Sequence, residues 1–351
     1  MTDSYEPVVQ EFIKLLAADD GKLGKAFDVA IQKAQLPDIQ NLKHLYSYIN
    51  ANVQRIPQDS RTLLTFVSLY YIAAFDDEIT SSVAYQDWVV QMARAWGDFL
   101  DSPVSIQHLD QFVGSLEDFD IHQYDRGPSG WRSFNQFFAR KVRPGMRPIA
   151  ALNDASVIVS PVDGQYWGKY AINENVGITI KGLEYNIADL MKDSPYVDEF
   201  KDGTFTHTAL RINDYHHFHT PVAGDVLEAR HIKGLANIEF EKDQEGKIAP
   251  ALGLNAGFLF NHMRGMVVLR SPEVGFVALI CVGIAQISSV TVTAEAGKHL
   301  HKGEGFGYFQ FGGSDVITLF QKGKVELDGS LKPQETILEQ GQQVGRLVTL
   351  E

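Results

Sequence analysis

The chain has 351 residues, 44% hydrophobic and 21% charged, so it can bury a sizeable core and has neither a disordered nor a low-complexity composition. Its 31 basic and 44 acidic residues give a net charge of −13, which argues against a general nucleic-acid-binding protein and against docking on an anionic membrane by charge alone. The single cysteine, Cys281, excludes an internal disulfide and is typical of a reducing, cytoplasmic compartment.

The first third of the chain has the apolar spacing of α-helices. Apolar residues recur at intervals of three and four over 8–16, 42–53 and 87–100. The apolar stretch 62–75 is shorter than the roughly 20 residues of a membrane span, so it predicts a buried helix. The first residues lack the basic and apolar parts of a signal peptide, and we expect none. We predict an all-helical N-terminal domain over residues 1–125.

The pattern changes after a cluster of turn residues at 127–130. Runs rich in β-branched residues, separated by turns, predict strands, and one short helix is predicted at 187–192. The strand candidates are 157–160, 205–212, 266–271 and 276–285. The predicted fold class is α+β, with the helical domain followed by a mainly antiparallel β domain over 126–351.

The first candidate for chemistry is S-P-V-D-G, residues 160–164. A proline and a glycine flank Asp163 closely, which is common in turns whose aspartate binds its own backbone. A carboxylate at such a turn can also orient a catalytic histidine. Both interpretations stay open for this motif alone.

The second candidate is N-D-Y-H-H-F-H-T-P, residues 213–221, which places three of the eleven histidines within four residues. In a strand, His217 and His219 would share one face and His216 the other. These side chains can be stacked, hydrogen-bonded histidines or acid–base catalysts. A metal site of this kind would also need a glutamate shortly afterwards; residues 220–224 contain none, so no metal is expected.

The third candidate is F-Q-F-G-G-S-D-V-I-T-L-F, residues 309–320, where two glycines and a serine interrupt an apolar run. Glycine inside a strand commonly marks a bulge or a tight bend. A glycine before a serine also allows the hydroxyl of Ser314 to attack the preceding carbonyl, provided that a base accepts its proton and a carboxylate orients that base. Asp163, His219 and Ser314 can supply these roles.

These motifs occur in one order with others, and over about residues 130–350 the chain resembles the phosphatidylserine decarboxylase family. The segments that carry the resemblance are S-F-N-Q-F-F-A-R-K-V-R-P-G-M-R-P-I (133–149), S-P-V-D-G, K-G-L-E-Y-N-I-A-D-L-M (181–191), D-Y-H-H-F-H-T-P (214–221), V-G-I-A-Q-I (282–287) and K-G-E-G-F-G-Y-F-Q-F-G-G-S (302–314). Any one of them is a weak signal, whereas their common order is specific.

The resemblance implies self-cleavage between Gly313 and Ser314 into a β chain, 1–313, and an α chain, 314–351. It implies a covalent pyruvoyl cofactor derived from Ser314, on which the substrate amine forms a Schiff base before CO2 is lost. It further implies that His219 is the base for self-cleavage, that Asp163 orients His219, and that His216 acts in decarboxylation.

The helical N-terminal domain, the F-G-G-S motif and I-A-Q-I-S-S (284–289) are similar to the soluble fungal L-tryptophan decarboxylases of this family. The predicted substrate is therefore a free L-amino acid of aromatic, tryptophan-like type. Phosphatidylserine, decarboxylated to phosphatidylethanolamine, is the alternative, and a processing-dead amine-binding protein is a further one. No substrate-binding residue is identified. The expected partners are this small molecule or phospholipid head group and the chain's own second fragment. We also expect a homo-oligomer without nucleic acid, and leave peripheral membrane contact open.

The chain departs from the family pattern at three places. Gly312-Gly313-Ser314-Asp315 stands where Leu-Gly-Ser-Thr is usual, His217 replaces an arginine, and Asn261-His262-Met263-Arg264 stands where Asn-Glu-Arg is frequent. A different class of protein also stays open. A-G-K-H-L-H-K-G-E-G-F-G, residues 296–307, has the turns of a lipoyl- or biotin-carrier hairpin, in which Lys298 or Lys302 would be the exposed lysine.

Overall fold

The computed structural model describes residues 5–63, 65–180, 183–236, 238, 240–242, 248–250, 257–283, 289–310 and 314–348. Helices dominate the first part of the chain, and two more lie between strands. They are α1 (Pro7–Ala17), α2 (Lys22–Ala34), α3 (Leu42–Asn52), α4 (Val67–Ala73), α5 (Asp77–Ser81), α6 (Val83–Leu100), α7 (Leu109–Gly114), α8 (Phe134–Phe138), α9 (Ile187–Met191) and α10 (Gly257–Asn261).

The helices follow the apolar spacing of the sequence. The spacing correctly placed α1, α3 and α6, and side chains of Asn41 and Ser82 cap the starts of α3 and α6. The single helix predicted over 62–75 is wrong: a 3-10 turn, Ser60–Leu63, precedes the shorter α4. Among the described residues, no helix combines the length and the apolar character needed to cross a membrane.

One hydrophobic core joins the helices to the β region. It includes Phe134, Phe137 and Phe138 of α8, together with Ala236 and Ile238 of the β region. The helical core therefore extends past residue 125, while the domain boundary placed there stays a prediction.

Strands make up most of the rest. They are β1 (Val157–Val159), β2 (Gly164–Ala171), β3 (Gly177–Ile180), β4 (Leu183–Asn186), β5 (Thr204–Leu210), β6 (His217–His219), β7 (Gly224–Ile232), β8 (Phe240–Lys242), β9 (Ile248–Pro250), β10 (Arg264–Ser271), β11 (Gly275–Gly283), β12 (Val290–Val292), β13 (His299–Leu300), β14 (Gly305–Phe309), β15 (Ser314–Phe320), β16 (Val325–Leu327), β17 (Ile337–Leu338) and β18 (Gln343–Leu347).

The main sheet has eight strands in the order β13-β7-β10-β11-β15-β5-β2-β17, and its ladders are antiparallel. The described strands also form two three-stranded sheets, β12-β14-β6 and β1-β18-β16, and the hairpins β3-β4 and β8-β9. These strands and helices confirm the α+β class.

The run 309–320 is not one interrupted strand. β14 ends at Phe309 in a three-stranded sheet, and β15 begins at Ser314 in the centre of the main sheet. Gly312 and Gly313 lie outside the described residues. The sequence pattern merged these strands because both are apolar and only four residues, 310–313, separate them.

The buried His262 and the half-buried His217 should make the stability of the fold depend on pH. Burial lowers the pKa of both His217 and His262 from 6.5 to about 4. As pH falls from 6.5 toward 4, the unfolded chain takes up protons that the folded chain does not. We therefore predict that the free energy of unfolding falls with pH in this window, by up to about 1.4 kcal/mol per pH unit for each histidine.

Urea unfolding followed by tryptophan fluorescence, at several pH values across this window, measures the effect. His262→Gln should remove the share of one histidine and so give a shallower dependence than the wild type. Equal pH dependence in the two proteins would contradict the assignment to His262.

Candidate active site

The histidine motif and the S-P-V-D-G turn, far apart in sequence, are adjacent in the fold. The backbone N–H of His219 donates to the carbonyl of Pro161 at 2.9 Å. On its other side, His219 pairs with Gly305 of β14 in the ladder between β6 and β14. β14 precedes Ser314 in the chain, so the S-P-V-D-G turn, the histidine motif and segment 302–314 are adjacent at this histidine.

The hydrogen bonds of His219 fix the protons on its ring. Nδ1 lies 2.9 Å from the carbonyl oxygen of Gly303, which only accepts, so Nδ1 carries the proton and Nε2 keeps a lone pair. The hydroxyl of Tyr215 donates to Nε2 at 3.2 Å. Burial lowers the pKa of His219, partly opposed by the Gly303 carbonyl and the Asp163 charge. The neutral ring therefore presents Nε2 as a base.

Asp163 is buried but forms no hydrogen bond with His219. Its oxygens accept from Nε of Arg147 at 2.8 Å and from Nη2 of Arg147 at 2.5 Å. The backbone N–H of Gln340 donates to Oδ1 at 2.8 Å. Asp163 therefore does not orient His219 through a direct hydrogen bond. Its charge acts on the ring through space.

Ser314 is the first residue of β15, and its backbone pairs with Leu210 of β5 and Gly283 of β11. Its side chain and Gly313 lie outside the described residues, so the roles of Ser314 and of the scissile bond stay predictions.

His216 is fully buried just before β6, with its ring 4.1 Å from that of Phe138. Within the described part of the chain, neither ring nitrogen has a hydrogen-bond partner. Burial, followed by the charge of Arg140, lowers the pKa of His216 well below its ordinary value. A weak backbone interaction with Asp214 partly opposes this lowering of the pKa. The neutral ring still offers a nitrogen for proton exchange with a ligand.

Two arginines that the sequence did not single out hold these motifs together. Arg140 is buried, and its Nη2 donates to the carbonyls of Asn213 and Asp214 at 2.8 and 2.7 Å. Arg147 forms the ion pair with Asp163. Both lie in segment 133–149, whose arginine spacing was visible in the sequence although their partners were not.

A polar cavity of about 970 Å³ lies beside the β3–β4 hairpin, α9 and α10. The residues that line it include Tyr185, Asn186, Asp189, Lys233, Asn261 and Arg264. Arg264 is bonded to the backbone carbonyls of Leu190, His262 and Asp189, so it shapes the cavity wall. Within the described residues, no group of three His, Cys, Asp or Glu side chains is placed to hold a metal ion.

The alternative in which Lys302 is the exposed lysine of a carrier hairpin is wrong. It is 7% exposed, and its Nζ donates to the carbonyls of Ala151 and Asp154 at 2.6 and 2.8 Å. Lys298 is exposed just before β13. The turns that suggested a carrier in fact connect β13 of the main sheet to β14, which pairs with the histidine strand β6.

A family model described as phosphatidylserine decarboxylase matches residues 134–346. The relatives include phosphatidylserine decarboxylase proenzyme 3 of Schizosaccharomyces pombe, 30% identical over 71% of this chain and 25% of its own length. Proenzyme 2 of Oryza sativa is 26% identical over 82% of this chain and 46% of its length. The proenzyme of Fusobacterium nucleatum is 30% identical over 66% of this chain and 74% of its length.

The chain thus spans a quarter to a half of the two eukaryotic relatives and about three quarters of the bacterial one. The matched region contains the S-P-V-D-G turn, the histidine motif and Ser314. The chain belongs to the phosphatidylserine decarboxylase family.

Proposed function

We propose that the chain is a self-processing, pyruvoyl-dependent carboxy-lyase that decarboxylates the serine head group of phosphatidylserine. The observation that carries the proposal is the meeting of the S-P-V-D-G turn, β6 and β14 around the neutral ring of His219. Family membership supplies the reaction class, and the relatives named as phosphatidylserine decarboxylase proenzymes support the substrate.

In self-cleavage, Nε2 of His219 takes the proton of the Ser314 hydroxyl, which attacks the carbonyl of Gly313. The hydrogen bond from Nδ1 to Gly303 fixes the ring in the tautomer that this step needs. The charge of Asp163 favours the protonated ring that results, and the ion pair with Arg147 holds that carboxylate in place.

Cleavage at this position leaves the sheets intact. β15 begins at Ser314 and is hydrogen-bonded on both sides, to β11 and β5, while β14 belongs to another sheet. The α chain would therefore remain bound to the β chain through the central strand of the main sheet.

The pyruvoyl group formed from Ser314 supplies a sink for the electrons that remain when the carboxylate leaves as CO2. The residues around it fit this use because the region is buried and contains uncharged histidines. We assign to His216 the movement of a proton during decarboxylation, since its ring is neutral and both nitrogens are unpartnered among the described residues.

The helical N-terminal region does not separate the two substrate classes. The alignment with the rice relative covers 82% of this chain, whereas residues 126–351 make up less than two thirds of it. Part of the helical region therefore also aligns with a protein named as a phosphatidylserine decarboxylase. This weakens the argument that such a region indicates a tryptophan decarboxylase.

Local charge also favours a lipid head group. Exposed Arg126, Lys141 and Arg143 lie on neighbouring segments, with exposed Met146 close by in sequence. Cations beside an apolar side chain suit contact with an anionic lipid surface. The net charge of −13 favours the second candidate, a free L-amino acid such as tryptophan, because it weakens attraction to such a surface.

Ser314→Ala should abolish both cleavage and decarboxylation, because the hydroxyl is the source of the cofactor. Intact mass spectrometry of the denatured protein should show two chains for the wild type, the smaller starting at residue 314, and one chain for the variant. An uncut variant with activity would refute the pyruvoyl mechanism. An uncut wild type would favour the amine-binding alternative.

His219→Gln should slow cleavage by about 10²- to 10⁴-fold, because a general base is lost while the ring's volume is largely kept. The accumulation of cleaved chain with time, followed on denaturing gels after expression, measures this rate. His231→Gln is the matched control, since its ring nitrogen also contacts a backbone carbonyl, that of Val290, at 2.9 Å. Wild-type cleavage in His219→Gln would remove His219 from the base role.

The substrate is tested with the cleaved protein. We expect CO2 release from vesicles that contain phosphatidylserine to exceed release from free L-tryptophan or L-serine by about tenfold or more, corresponding to about 1.4 kcal/mol of discrimination. Release from free tryptophan alone would establish the second candidate instead.

A further inference from the structure

Asp315, the residue after the proposed cleavage site, forms a buried pair with a histidine that no motif indicated. Its Oδ1 contacts Nε2 of His207 on the neighbouring strand β5. The two residues are 2% and 6% exposed. The ring of His207 also packs on Trp167, 5.6 Å away. The pair is thus held at the point where the α chain would begin.

The other carboxylate oxygen of Asp315 is unused. Within the described residues, Oδ2 is buried and accepts no hydrogen bond. Buried carboxylate oxygens are nearly always filled by donors. Oδ2 is thus an unused acceptor on the residue after Ser314, and an N–H donor on a ligand would satisfy it.

Among the described residues, His207 is the ionisable side chain that contacts Asp315. Its directly opposed residues are Ala209 on β5 and Val282 on β11, neither of which ionises. Arg264 stands opposite Val282, two strands away on the same face. Its guanidinium is bonded to backbone carbonyls, although it also borders the cavity of about 970 Å³.

We propose that Asp315 is a substrate-binding residue, whose Oδ2 receives the α-ammonium group of the substrate and accepts one of its protons. The step moves one proton from nitrogen to the carboxylate, which His207 holds in place, and no other bond changes. It leaves a neutral amine, the form that can act as a nucleophile. The proposal rests on the proposed function, because the amine is needed only if residue 314 carries a ketone.

This role applies to the head group of phosphatidylserine and to a free amino acid alike, because both carry the same ammonium group. The competing explanation is structural: Asp315 could serve only to hold His207 and the start of β15. The experiment must therefore detect recognition of the ammonium group itself.

The probe is glycerophosphoserine, and the protein is the cleaved form after borohydride has reduced its ketone to an alcohol, so that binding is measured without reaction. Calorimetry compares the binding of glycerophosphoserine with the binding of glycerophosphoglycerate, in which a hydroxyl replaces the amine. Asp315→Asn should weaken binding of the amine ligand about tenfold and leave binding of the hydroxyl ligand unchanged. Equal weakening of both, or of neither, would overturn the proposal.

Asp225→Asn is the matched control, because Asp225 forms an exposed pair with His299 at 2.7 Å on the far edge of the sheet. It should bind both ligands as the wild type does. Intact mass spectrometry distinguishes a failure of the proposed function from a failure of the proposed role of Asp315. An uncut wild type defeats the proposed function, whereas a cut wild type beside an uncut Asp315→Asn assigns Asp315 to processing and overturns this proposal alone.

A pH profile adds a readout that a structural role would not change. If Asp315 deprotonates the substrate, decarboxylation by cleaved Asp315→Asn should rise with pH until the substrate's own amine is neutral, and so approach the wild-type rate in alkaline solution. A constant ratio of the two rates across this range would contradict the proposal.

Discussion

The hydrogen bonding of β15 on both sides is the constraint on which the rest of this structure depends. β15 lies between β11 and β5 in the eight-stranded sheet, and its first residue is Ser314. The backbone of the proposed new chain end is therefore fixed by two ladders before any chemistry takes place. The preceding strand, β14, belongs to a different sheet and pairs with the histidine strand β6. A cut between these sheets separates two chains that continue to share one fold.

Burial sets the charges around this chain end. His216, His217 and His219 have lowered pKa values because desolvation opposes their charged forms, so near neutral pH they act as neutral donors and acceptors. Burying the two carboxylates costs less free energy because each has a partner: Asp163 contacts Arg147, and Asp315 contacts His207. In the proposed mechanism, neutral histidines and hydrogen-bonded carboxylates would thus receive a substrate that carries an ammonium group.

Local patterns were sufficient to predict most elements but not their partners. Apolar spacing identified α1, α3 and α6, and β-branched runs identified β5, β10 and β11, because each pattern reports burial within a short segment. Residues 217–219 form a strand in which Phe218 is buried and both histidines are half-buried, as expected if His217 and His219 share one face. Pairs such as Arg147 with Asp163 join residues that no periodicity relates, so the sequence offered the residue types without the contact. The same limit explains why the burial of Lys302 was not predicted, because it depends on carbonyls about 150 positions away in the chain.

The expected contact from Asp163 to His219 is replaced by a different arrangement of hydrogen bonds, and this changes the chemistry of the ring. Nδ1 of His219 is bonded to a carbonyl, which fixes the tautomer but adds no formal charge. Asp163 instead acts at a distance, where its field raises a pKa that burial lowers. A direct carboxylate bond would stabilise the imidazolium more strongly and make it slower to return its proton. In the proposed cleavage, Nε2, which contacts the Tyr215 hydroxyl, would therefore be a moderate base that accepts a proton and releases it afterwards.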